Sequence, residues 1–166
     1  MRFTKREEIF PPRKPKKAIE YGVKNLEICF DDISNPNVEK ITHICCGYPD
    51  KLDAVNYPKA PLDSYHQIAE LLDKSIIDSI SLEDAHRFND LSLLNKFKQS
   101  KIILGVINIA SSKEETINEV QNRVKDALKH IDEERLIVAP DCGLGHLSRE
   151  LAMKKLKTMV TAVEKI

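Results

Sequence analysis

The 166-residue chain is 42% hydrophobic and carries 26 basic against 26 acidic residues. That composition can bury the core of one domain, and its zero net charge offers no field to draw nucleic acid or an anionic membrane. No apolar run approaches the roughly 20 residues of a bilayer span, and no signal-peptide core is present. The four cysteines (Cys29, Cys45, Cys46, Cys142) lack regular disulfide spacing, so metal-bound or free thiols in a reducing cytoplasm are expected.

Residues 1–17 are basic and proline-rich, and Pro11, Pro12 and Pro15 oppose a regular helix there. A solvated connecting segment is expected, with a nucleic-acid arm or a transit peptide as the alternatives. The remaining residues, 18–166, read as one domain. A helix is expected from Pro15 to Asp32, with an apolar stripe at Ile19, Val23, Leu26 and Phe30. Strand Ile41 to Cys46 and a loop from Gly47 to Pro61 follow. Asp63 or Ser64 caps a helix to Lys74 carrying Ile68, Leu71 and Leu72. Strand Ile76 to Glu83, a helix from about Asn89 to Lys98, and strand Lys101 to Ile109 come next. Ser111 or Ser112, with Glu114 or Glu115, predicts a capping box for a helix to about His130. Strand Arg135 to Ala139 and helix Ser148 to Lys165 close the chain.

Apolar strands separated by helices predict an α/β fold with a parallel sheet covered by helices. In such folds the functional residues gather at the C-terminal ends of the strands. His43 and Cys45 are two apart on a strand and so share a face, which makes half of a borderline-soft metal site. Glu83 and Cys142 close strands of their own. An imidazole, a carboxylate and two thiols at equivalent strand ends point to Zn2+. A structural zinc knot is the alternative, but its ligands are usually Cys and His in short loops, whereas these span residues 43 to 142.

The segments His43-Ile44-Cys45, Ile80-Ser81-Leu82-Glu83 and Pro140-Asp141-Cys142-Gly143-Leu144 resemble the catalytic barrel of the cobalamin-independent methionine synthase family. Leu156-Lys157-Thr158-Met159-Val160 resembles that family's closing helix, and the likeness runs from about residue 15 to the end. The resemblance implies His43, Cys45, Glu83 and Cys142 as the zinc ligands. It implies zinc-dependent methyl transfer from 5-methyltetrahydrofolate, with its polyglutamate tail, to the thiol of homocysteine, giving methionine. Lys51, Lys59 and Arg87 are candidates to receive the tail.

A complete barrel has eight strands, and the four found here resemble the last four βα units. The expectation is therefore a half-barrel with a whole zinc site and an incomplete substrate pocket, open to pairing with a second copy. Where the family carries Asp-Ile-His-Ser, this chain has Asn108-Ile109-Ala110-Ser111. His86 is the candidate that replaces the missing histidine as a proton relay, with a surface histidine as the alternative. Alkyl transfer to another thiol, as in the coenzyme M transferases, and an inactive zinc-binding fragment are the other readings. Cys46 and Cys29 are expected in the core, His66 and His130 on helix surfaces, and His146 near a ligand. Asp141 is expected to orient His43.

Overall fold

In the computed structural model residues 15–47 and 49–166 are described, and the stretch 1–14 assigned to the basic segment lies outside them. The chain divides into two units, Met1–Val38 and Glu39–Ile166. In the first, α1 (Pro15–Phe30) opens on a proline, whose missing N–H is unpaired at that position in any helix. Val23 is buried, while Ile19, Leu26 and Phe30 are half-buried, so the expected stripe forms. Cys29 is exposed, contrary to its expected place in the core. It stands next to the stripe residue Phe30, and a step of about 100° along the helix takes it off that face.

The second unit alternates strand and helix: β1 (Ile41–Ile44), α2 (Ser64–Asp73), β2 (Ser79–Leu82), a 3₁₀ helix (Leu91–Lys96), β3 (Lys101–Ile107), α3 (Ile117–Ala127), β4 (Leu136–Pro140) and α4 (Arg149–Val163). All strand pairs are parallel and the order is sequential, β1-β2-β3-β4, as in consecutive βα units of a (β/α)8 barrel. Register sets Thr42, Ile80, Ile102 and Leu136 across one face, with Ile44, Leu82, Leu104 and Val138 one layer on. Ile80, Leu82, Ile102 and Leu104 are fully buried there, together with Ala69 and Leu72 of α2 and Val120 and Ala127 of α3. The opposite face carries His43, Ser81, Ile103 and Ile137. Ile102 and Leu104 are covered, and only Ile103 and Ile137 look out from the other side. Pro140 is tolerated because β4 pairs with β3 alone among the described residues.

Two elements depart from expectation. The helix expected near Asn89 to Lys98 is the 3₁₀ helix, since Leu91, Leu94 and Phe97 are buried at a spacing of three, the 3₁₀ repeat. The capping box of α3 is Thr116 with Glu119, not Ser111 or Ser112 with Glu114 or Glu115. Glu115 is drawn inward instead, where it accepts the Asn108 N–H and pairs with the fully buried Lys155 ammonium at 3.1 Å.

Candidate metal centre

Three of the four strands, β1, β2 and β4, deliver the pieces of the centre. His43 lies on β1 and Cys45 just past its end, Glu83 follows β2, and Cys142 follows β4. One ligand-capable atom from each of His43, Cys45, Glu83 and Cys142 falls within 4.8 Å of all the others. Zinc–ligand bonds of about 2.0 to 2.3 Å imply tetrahedral ligand separations of about 3.3 to 3.8 Å, so a small contraction would close the set.

The Glu83 side chain is fully buried, and its two oxygens face different ways. Oε2 accepts the Cys46 backbone N–H at 2.8 Å and the Cys46 thiol at 3.0 Å. Oε1 has no hydrogen-bond partner and lies 3.8 Å from His43 Nε2. A buried carboxylate oxygen without a donor is costly, and a cation among the four residues would satisfy it. The donor set and this orphaned oxygen both fit zinc. Ser81, the register partner of His43, hydrogen-bonds His43 Nδ1 at 2.9 Å. That contact turns Nε2 toward Glu83, so Ser81, and not Asp141, orients the histidine.

Asp141 serves His86. Its carboxylate accepts the backbone N–H groups of Asp84, Ala85 and His86, and bonds His86 Nδ1 at 2.8 Å. His86 is no surface residue, because its side chain is only 4% exposed. Its Nε2 sits 3.3 Å from Cys46 Sγ. Cys46 is buried as expected, but in polar company that its neighbours in sequence did not reveal. Tyr65 closes this side by donating to the Ile44 carbonyl and accepting the Glu83 N–H. Gly47 turns the chain away from β1 at a φ of 127°, where a side chain would be strained.

Burial foremost, with the Glu83 carboxylate adding, pushes the Cys45 thiol up to about 11 and the Cys46 thiol up to about 12. Both are protonated at neutral pH on the protein's own groups alone. A metal held by Cys45 must therefore displace its proton, and binding is expected to strengthen as pH rises.

The family described as "Cobalamin-independent synthase, Catalytic domain" matches residues 22–165. The chain belongs to that family. Methionine synthase of Thermococcus kodakarensis is 34% identical over 102 residues, which are 61% of this chain and 30% of that protein. Methionine synthase of Saccharolobus solfataricus is 27% identical over 147 residues, covering 87% of this chain and 39% of its own length. A solved B12-independent methionine synthase from Shewanella, in complex with selenomethionine, superimposes with a TM-score of 0.77 at 26% identity. That match covers 91% of this chain and 44% of the Shewanella chain. A Listeria monocytogenes structure, 21% identical with a TM-score of 0.62, shares the fold. The chain thus spans less than half the length of these relatives.

Within this family's fold the other expected residues separate clearly. Ala110 is buried and Asn108 accepts the Ala110 N–H, so no acid–histidine pair stands after β3. Arg87 donates to the Ala60 carbonyl, and Lys59 reaches the His86 carbonyl and the Tyr57 ring. Both tie the 57–60 loop to the turn after Glu83, which leaves Lys51 as the exposed one of the three tail candidates. A cavity of about 150 Å³ beside α3 is lined by Phe88, Asn108, Glu115 and Arg123 and includes none of the four centre residues. His66 and His130 are half-buried. His146 lies between Cys142 and α4. No described helix is long and apolar enough to cross a membrane.

Proposed function

We propose that this chain carries the zinc-binding part of a thiol methyltransferase, which moves a methyl group from a methylated folate to the thiol of homocysteine and gives methionine. The observation that carries the reading is the convergence of His43, Cys45, Glu83 and Cys142, with Glu83 Oε1 buried and unpartnered. The naming of curated relatives as methionine synthases, and the selenomethionine bound by the Shewanella protein, support the substrate class.

A free thiol of pKa near 8.5 is only a few per cent thiolate at neutral pH. Zinc held by His43, Cys45, Glu83 and Cys142 would supply the deprotonation and fix the sulfur. Two thiolates and one carboxylate against a divalent ion leave a net charge of about −1, which keeps sulfur electron-rich. Glu83 suits the place of the ligand that gives way to substrate, because Oε2 keeps its Cys46 N–H whatever Oε1 does. Ser81 holds the His43 ring in place.

His86 serves the centre from behind Glu83, through Cys46 and Asp141, with its ring closed off from an incoming donor. The group that protonates the departing folate is then not supplied by Ala110. This favours a second reading, alkyl transfer to a different thiol, since such a reaction need not use that histidine. Methionine formation from methylated folate and homocysteine, compared with product from a panel of other thiols, decides between them. Loss of whichever activity is found in Cys142→Ser is expected. Activity that survives Cys142→Ser would overturn the zinc-thiol reading.

A further inference from the structure

We propose that Cys46, Glu83 and His86 form a second divalent-metal site, back to back with the first, with Glu83 bridging the two ions through its separate oxygens. This rests in part on the proposed first site, which takes Glu83 Oε1.

The geometry is already close to a bound one. Cys46 Sγ lies 3.0 Å from Glu83 Oε2 and 3.3 Å from His86 Nε2, and Nε2 is 3.8 Å from Oε2. Tetrahedral zinc spaces such ligands by about 3.3 to 3.8 Å, so an ion would need shifts of a few tenths of an ångström. All three residues place one ligand atom within 4.8 Å of the others. Cys46 and Glu83 are buried, and the His86 side chain is 4% exposed.

The surroundings match those of a metal site. Asp141 holds His86 Nδ1 at 2.8 Å, which fixes the ring and leaves Nε2 as the ligand atom, the carboxylate–histidine–metal arrangement. Asp141 is itself anchored by three backbone N–H groups, so this support is rigid. Glu83 presents Oε1 to His43 and Oε2 to Cys46 and His86. A carboxylate directed both ways can bridge two cations. Charge is also favourable, since a thiolate would face the second ion, the Asp141 carboxylate backs the His86 ring from its Nδ1 side, and no Lys or Arg forms an ion pair with Glu83 or Asp141 in the described residues. Binding replaces the Cys46 S–H bond with an S–metal bond and releases one proton to solvent. Thiolate, imidazole and carboxylate together select Zn2+ or Co2+ over Mg2+ or Ca2+.

The test is metal stoichiometry on the full 166-residue chain, saturated with Zn2+, freed of excess and analysed by elemental mass spectrometry. Co2+ loading gives a second readout through thiolate-to-cobalt charge transfer. Circular dichroism establishes that each variant is folded. Two ions per chain are expected, falling to one in Cys46→Ser, one in His86→Ala and one in Cys142→Ser. A single ion that survives Cys46→Ser and His86→Ala but leaves with Cys142→Ser would overturn the second site and keep the first. A single ion with the reverse pattern would keep the second site and overturn the first. Two ions that both survive Cys46→Ser would also overturn the proposal.

Discussion

Gly105 and Asp141 touch across the β3–β4 pair so closely that a Cβ at Gly105 would stand 2.7 Å from Asp141 Cα, a distance that real side chains do not adopt. Gly105 therefore lets β4 bring Asp141 and Cys142 up to the turn that holds Glu83 and His86. The atom met is the Asp141 Cα, backbone just past the end of β4, which cannot swing aside as a flexible side chain would. Gly105→Ala is expected to cost about 1 to 3 kcal/mol in chemical denaturation and to weaken zinc retention. An unchanged midpoint and full zinc content would show that the close approach is not required.

The capping box of α3 gives a pH signature. Thr116 N–H and hydroxyl groups bond the Glu119 carboxylate, and Lys113 sits 3.0 Å away. These contacts, with the Thr116 backbone bond foremost, hold the Glu119 pKa down to about 2 from 4.5. A depressed acid stabilises the fold above its unfolded pKa, and that contribution disappears as pH falls from about 4.5 toward 2. Because Glu119 is half exposed, solvent screening keeps the effect small. Glu119→Ala, which removes the titrating carboxylate, is expected to cost up to about 1 kcal/mol at neutral pH, with the gap from the parent narrowing in acid. A gap that stays constant down to pH 2 would contradict the assignment.

Assayed alone, the 166-residue chain is expected to make methionine slowly. Ala110 and Asn108 stand where the family resemblance places a histidine and an acid, and well-placed acid catalysis is worth about 10² to 10⁴-fold. Restoring both groups in Asn108→Asp with Ala110→His should raise the rate. A parent turnover number of about 1 per second or more, within the usual enzyme range, would refute the expectation.

The sheet leaves β1 and β4 each paired on one side only among the described residues, and Ile41 and Ile137 are exposed. Unpaired edges beside apolar side chains promote association. Four strands from each of two copies could close an eight-stranded ring. Sedimentation at micromolar concentration should show a dimer or larger species, whereas a monodisperse 18.9 kDa particle would contradict self-association.

The α/β order, the four strands and the convergence of His43, Cys45, Glu83 and Cys142 were legible because each depends on local pattern. Apolar runs mark strands, and His43 and Cys45 share a face by the period of two. The polar cluster behind Glu83 was not legible. Cys46, His86 and Asp141 lie 40 to 95 residues apart and meet only through sheet register and the close approach at Gly105. The α3 cap was misplaced because Ser111, Ser112 and Thr116 all offer suitable side chains. The choice fell to the inward pull of Lys155 on Glu115, a contact 40 residues away.

The central claim is that His43, Cys45, Glu83 and Cys142 together hold zinc. Zinc-edge X-ray absorption on the Cys46→Ser variant isolates that centre from the second one. The account predicts two sulfur ligands at about 2.3 Å with two nitrogen or oxygen ligands at about 2.0 to 2.2 Å, and loss of the bound zinc when Cys142→Ser is added. A spectrum of nitrogen and oxygen ligands alone, or one that Cys142→Ser leaves unchanged, would contradict it.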